Sequence, residues 1–96
     1  MSDVGVLNGP ATAPKELTVT TDQEVKDGAN RADDRRVVII HPSDGDIRWA
    51  YGTTAANGFL LKKGNLIQIE ASDSLPVTIR AFDNTTSTKV CIQEVG

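Results

Sequence analysis

The chain has few of the residue types that carry catalysis. Its 96 residues include one His and one Cys, and aromatic residues make up 4% of the total. Cys91 therefore has no second Cys for an intramolecular disulfide, and a zinc site needs more nitrogen and sulfur ligands than these two residues supply. No glycine-rich phosphate-binding pattern occurs either. We expect no cofactor and no enzymatic activity.

Other absences exclude further classes of protein. The formal net charge of −3 argues against a nucleic-acid surface, which needs clustered Lys and Arg. No apolar run approaches the roughly 18 residues that span a bilayer, and the N-terminus lacks the basic and apolar regions of a secretory signal. Asp33 and Asp34 point apart in an extended chain, so they do not predict a metal site. We expect synthesis in a cytoplasm, with no membrane or nucleic-acid partner.

What the sequence does contain is a β pattern. Short apolar runs and alternating segments extend from Glu16 to Val95, with turn residues between them. Short connections favour antiparallel pairing. The pattern predicts an all-β fold, a small antiparallel β-sandwich of the jelly-roll kind with about eight short strands. The residues predicted to lie in or near the core are Val38, Ile40, Trp49, Ile67, Ile69, Val77, Ile79, Val90 and Ile92.

The segment from Arg36 to Gly58 predicts a central β-hairpin. An apolar run, Val37–Ile40, is followed by the turn residues Pro42 and Gly45 and then by the alternating segment Asp46–Gly52. The turn therefore predicts that the two strands pair with each other.

Three further segments carry local predictions. Leu17–Thr20 alternates, and Gln23–Lys26 is predicted to be its weak partner strand. Residues 29–36 mix both signs of charge, which favours a solvated loop. Cys91 lies in an apolar alternation, which favours a buried or half-buried structural thiol.

The first residues differ in composition from the rest. Val4, Val6 and Leu7 are isolated apolar residues among Gly, Ala and Pro, and they follow no sustained helix or strand period. We predict an extended N-terminal arm over residues 1–15 and a sandwich domain over residues 16–96. The arm is either a loose terminus or a segment that contacts a neighbouring subunit. A domain this small has a thin core, which favours oligomerisation.

Trp49 and Tyr51 are the most ambiguous residues. They are two positions apart, so they share one face of a strand with Ile47. Three interpretations stay open: the main bulk of the core, a stacking platform for a sugar, or a contact for a partner subunit.

From Arg35 to Val95 the order of motifs resembles small virion proteins and fibre modules of tailed bacteriophages. The matching positions are Asp46-Ile47, Trp49, Tyr51-Gly52, Thr53-Thr54, Gly58-Phe59, Leu61, Gly64, Ile67-x-Ile69, Val77-x-Ile79-x-Ala81 and Lys89-Val90-x-Ile92-x-Glu94. The charged stretch Arg31–Arg36 departs from the pattern, because those proteins more often have small polar residues there.

The resemblance implies a non-enzymatic virion protein that decorates or cements a capsid, often as a homotrimer. Its partner would be the major capsid protein or another virion protein, and its location the virion. The alternative that the resemblance leaves open is a carbohydrate-binding or host-attachment module of a head or tail fibre. The candidate protein-interface residues are Val4, Val6, Leu7, Trp49 and Tyr51.

Overall fold

A computed structural model describes residues 11–83 and 85–96 of the chain. Within them lie eight β-strands and no helix. The strands are β1 (Lys15–Val19), β2 (Gln23–Glu24), β3 (Val37–Pro42), β4 (Ile47–Tyr51), β5 (Phe59–Leu61), β6 (Ile67–Glu70), β7 (Val77–Ala81) and β8 (Thr88–Val95). They form two four-stranded antiparallel sheets that pack together. The prediction of a small all-β sandwich is confirmed.

The strand order follows a nested pattern. The first sheet runs β1-β8-β3-β6 and the second β2-β7-β4-β5. Along the chain, β4·β5 is the innermost pair, and each following pair encloses the one before it: β3·β6, then β2·β7, then β1·β8. Two further pairs, β3·β8 and β4·β7, complete the sheets. The edge strands β1 and β2 lie on one side of the sandwich, which we name the β1–β2 flank. The edge strands β5 and β6 form the opposite β5–β6 flank.

Both hairpins expected from the turn signals are wrong. β3 belongs to the first sheet and β4 to the second, so the turn at residues 43–46 carries the chain across the sandwich. The same holds for β1 and β2. Successive strands in opposite sheets can press their apolar faces against each other across the core. A turn signal marks where the chain reverses, and it does not say in which sheet the next strand lies.

The core prediction is confirmed. Val38 and Ile40 point inwards and are fully buried, while Val37 and Ile39 lie half-buried on the outer face. The buried cluster is Val19, Val25, Val38, Ile40, Ile47, Leu61, Ala71, Val77, Ile79, Val90 and Ile92, against which Leu17, Trp49, Ile67 and Ile69 pack while partly buried. Aliphatic side chains from both sheets thus supply nearly all of the core.

The sequence pattern predicted that strand pairing begins at Leu17, but in the structure it begins earlier. Lys15 is opposite Ile92 in the β1·β8 ladder, and Ala11 forms an isolated antiparallel bridge with Val95. The Thr12 N–H donates to the Glu94 carbonyl over 2.9 Å. The last residues of the predicted arm therefore lie along the chain's own β8. Val4, Val6 and Leu7 are outside the described residues.

Candidate interaction surface

Three aromatic side chains form a cluster on β4 and β5. Trp49 is opposite Phe59 in the β4·β5 ladder, and their ring centroids are 5.2 Å apart at an interplanar angle of 42°. Tyr51 meets Trp49 edge to face, with centroids 5.5 Å apart and an angle of 83°. Edge-to-face and tilted pairs are favourable arrangements of aromatic rings. We call Trp49, Tyr51 and Phe59 the aromatic cluster.

The aromatic cluster passes from the core to the surface. Ile47, on the same face of β4, is fully buried, and Trp49 is half-buried against the core. Tyr51 is 44% exposed and Phe59 is 66% exposed. Trp49 therefore serves as core at one side, whereas the other two rings are presented to solvent. This arrangement combines two interpretations that the sequence left separate.

The exposed rings are held in place. The Tyr51 hydroxyl donates to the carbonyl of Glu70 over 2.9 Å, which links β4 of one sheet to β6 of the other. Behind the cluster, a Cβ on Gly58 would lie 2.5 Å from the Trp49 carbonyl oxygen, so only glycine fits there without displacement. The Arg48 guanidinium donates to the Gly58 carbonyl over 3.1 Å. The loop before β5 is thus fastened to β4.

The β5–β6 flank continues this apolar surface. Leu60 is 46% exposed on the outer face of β5, and Leu66 is 57% exposed at the end of β6 opposite to Glu70. In the sheets, β5 pairs with β4 and β6 with β3, so each presents alternate backbone N–H and C=O groups away from its sheet. Exposed apolar side chains beside an open sheet edge make this flank the candidate interaction surface. Phe59 and Leu60 were missed as site residues, although their apolar triplet on a predicted short strand was visible.

A buried ion pair braces the same end of the sandwich. The predicted solvated loop over residues 29–36 is wrong at Arg35, whose side chain is fully buried and lies 2.7 Å from a carboxylate oxygen of Glu94, also fully buried. The guanidinium also donates to the carbonyls of Val25, Ala71, Ser72 and Leu75. It therefore joins the loops before β3 and after β6 to β8.

The carboxylate of Glu94 is equally well satisfied. Besides Arg35, it accepts the Ala32 N–H over 3.0 Å and the Asp27 N–H over 2.9 Å. Buried charges persist in proteins when they are paired and hydrogen-bonded in this way. Glu94 lies two positions after Ile92 and four after Val90, so its side chain faces inwards with theirs. A charged residue at an alternating core position was therefore the sequence signal for this ion pair.

The remaining polar side chains serve loops. The Thr88 hydroxyl, at 2.7 Å, and the Lys89 N–H, at 2.6 Å, hold the pKa of Asp44 below its usual 3.8. Cys91 is half-buried on the outer face of β8, as expected, and is opposite Glu16 on one side and His41 on the other. Within the described part of the chain, no group of three His, Cys, Asp or Glu residues is placed to hold a metal ion.

Comparison with known proteins does not assign the chain to a family. No protein-family model matches the chain, and a search of curated proteins finds no match. In residues 11–83 and 85–96, no helix has the length and apolar character needed to cross a membrane. The fold and the surface define a small β-sandwich with an aromatic cluster exposed at one flank.

Proposed function

We propose that this chain is a non-enzymatic structural protein of a bacteriophage virion, which binds a capsid surface as a decoration or cement protein and works as a homotrimer. The observation that carries the proposal is the exposed part of the aromatic cluster. Tyr51 is held by its hydrogen bond to the Glu70 carbonyl, and the exposed Phe59 ring packs against Trp49. Aromatic anchors of this kind supply most of the binding energy in protein interfaces.

The strand connectivity supports the proposal. The nested pairs are those obtained by folding one long antiparallel hairpin over itself into two sheets. We interpret this connectivity as a jelly roll, an architecture found in viral capsid domains and in lectins. Because one fold serves many functions, the fold gives only this general support. The argument for a structural role depends on the surface and on the resemblance in sequence.

The test uses virus particles purified from a culture that carries the gene. Epitope-tagged protein is mixed with particles, centrifuged through a density gradient and quantified by mass spectrometry. We expect saturation at a fixed ratio to the major capsid protein. Tyr51→Asp should weaken binding by about 30-fold, which corresponds to a hot spot of about 2 kcal/mol.

Leu75→Asp is the matched control, because Leu75 is also exposed but lies in the loop between β6 and β7. It should bind as the unaltered chain does. Particles that contain no copies of the protein, and take up none, would refute the proposal.

A carbohydrate-binding module for host attachment is the second candidate. The exposed rings of Tyr51 and Phe59 favour it, since sugars stack on aromatic faces. The angles of 83° and 42° within the cluster weigh against it, because they do not form one flat platform. Saturable binding on a glycan array that is lost in Tyr51→Ala would establish this second function.

A further inference from the structure

The N-terminal segment and the aromatic cluster lie at the same end of the sandwich. Ala11 bridges Val95, which pairs with Val37, and Val37 pairs with Glu70 at the other edge of the first sheet. The Tyr51 hydroxyl then reaches the Glu70 carbonyl. The described chain thus begins on the β1–β2 flank, and the exposed rings are on the β5–β6 flank at the same end.

Ten residues precede Ala11. A fully extended segment of that length spans about 33–36 Å, whereas the two smaller dimensions of the described fold are 24 and 21 Å. From Lys15 back to Ala11 the chain runs antiparallel to β8 and reaches the C-terminal end of that strand. The first ten residues are therefore long enough to reach a neighbouring molecule.

The edge of β5 matches this segment chemically. Phe59 is exposed on the inner-facing side of β5 and Leu60 on the outer side, so a strand added there meets an apolar side chain on each face. Val4 and Val6 share one face of an extended segment, and Leu7 is on the other. Strand addition to an open edge combines backbone hydrogen bonds with alternate side-chain contacts in this manner.

We propose that residues 1–10 of one copy add a strand to the β5 edge of a second copy. Val4 and Val6 cover the Phe59 ring, and Leu7 lies beside Leu60. The arm leaves one flank and the acceptor edge is on the other, so the contact is head-to-tail, and such contacts form a ring when the rotation between copies closes. The inference rests on the proposed function, because it supplies the contact of the proposed trimer and leaves Tyr51 as the ring that faces the capsid.

Two variants of the full chain test it. The arm variant is Val4→Asp with Val6→Asp, and the edge variant is Phe59→Asp. Analytical ultracentrifugation should show the unaltered chain as a closed oligomer and each variant alone as a monomer. An equal mixture should form a heterodimer, because the intact arm of the edge variant binds the intact edge of the arm variant. Nothing larger should form, because no second intact arm and edge remain to close the ring.

Matched controls keep the test decisive. Leu75→Asp should assemble like the unaltered chain, and Leu60→Asp replaces Phe59→Asp if far-UV circular dichroism shows that the latter is unfolded. An arm variant that still assembles overturns the inference, because the edge then associates without the arm. A mixture that stays monomeric also overturns it, because an intact arm and an intact edge are then present together without binding each other.

The outcome is separable from that of the virion proposal. A monomeric unaltered chain that binds particles refutes the strand addition and leaves the virion function intact. Assembly through the arm without any binding to particles supports the strand addition and refutes the virion function.

Discussion

Removing one partner of the Arg35–Glu94 pair should destabilise the fold severely. In Glu94→Gln the guanidinium stays buried without its counter-charge, and the Gln amide must replace a carboxylate that accepts from Arg35, Ala32 and Asp27. Breaking a buried pair from one side costs about 3–5 kcal/mol. A domain of this size is stable by about 5–14 kcal/mol, at roughly 0.05–0.15 kcal/mol per residue. We therefore expect the loss of about a fifth of the stability or more.

A double-mutant cycle isolates the pairing itself. Arg35→Met, Glu94→Gln and the combined variant are unfolded in urea, and the half-buried Trp49 reports the transition by its fluorescence. Arg35→Met should cost about as much as Glu94→Gln, because Glu94 then stays buried and unpaired. The combined variant should lose at least about 2 kcal/mol less than the sum of the single losses, because neither buried charge is then left behind.

The surface pair of Arg31 with Glu24 provides the control. Both side chains are about a quarter exposed, so Arg31→Met should cost less than about 1 kcal/mol. The reasoning that the pair is buried and coupled would be refuted if Arg35→Met and Glu94→Gln each lost as little stability as Arg31→Met. It would also be refuted if the two losses simply added in the combined variant.

Three further outcomes are expected. Gly58→Ala should cost about 1–3 kcal/mol in urea unfolding, because its Cβ would collide with the Trp49 carbonyl; Gly28→Ala, with nothing within 4 Å, should change stability by less than about 0.5 kcal/mol. Trp49→Ala should cost about 2–3 kcal/mol, less than a fully buried Trp, since the ring is half-buried; an unchanged melting temperature would exclude its core role. The lowered pKa of Asp44 means that its contribution is complete above pH 3.8 and is lost as the pH falls further. Asp44→Asn should therefore reduce the fall in melting temperature as the pH is lowered into the acid range. An unchanged dependence of melting temperature on pH would contradict this role of Asp44.

The alternation of apolar residues predicted which side chains are buried, but not which strands pair. Ile67 and Ile69 face inwards with Gln68 exposed between them, as a period of two requires. Pairing is decided by contacts between distant residues, such as Lys15 with Ile92, and no local pattern encodes those. The turn before β4 illustrates the limit, because its residues suit a crossover as well as a hairpin.

The interaction surface was predictable only in part, because one part of it follows from local spacing and the other from the strand order. Trp49 and Tyr51 attract attention by their rarity, and their shared face follows from their spacing. The exposure of Phe59 follows from the position of β5 at a sheet edge, and that position is a property of the whole topology. Arg35 appeared to belong to a charged loop because its carboxylate partner is almost sixty positions further along the chain.

The place of β8 in the first sheet has a consequence for biosynthesis. β8 lies between β1 and β3, and it follows all seven other strands in sequence. While a ribosome is still making residues 88–95, β1 has no partner and β3 can pair with β6 alone. The first sheet must therefore form after translation has passed Val95, and contacts this distant in sequence form slowly. Until then the nascent chain carries unpaired β-edges, and such edges are prone to aggregation.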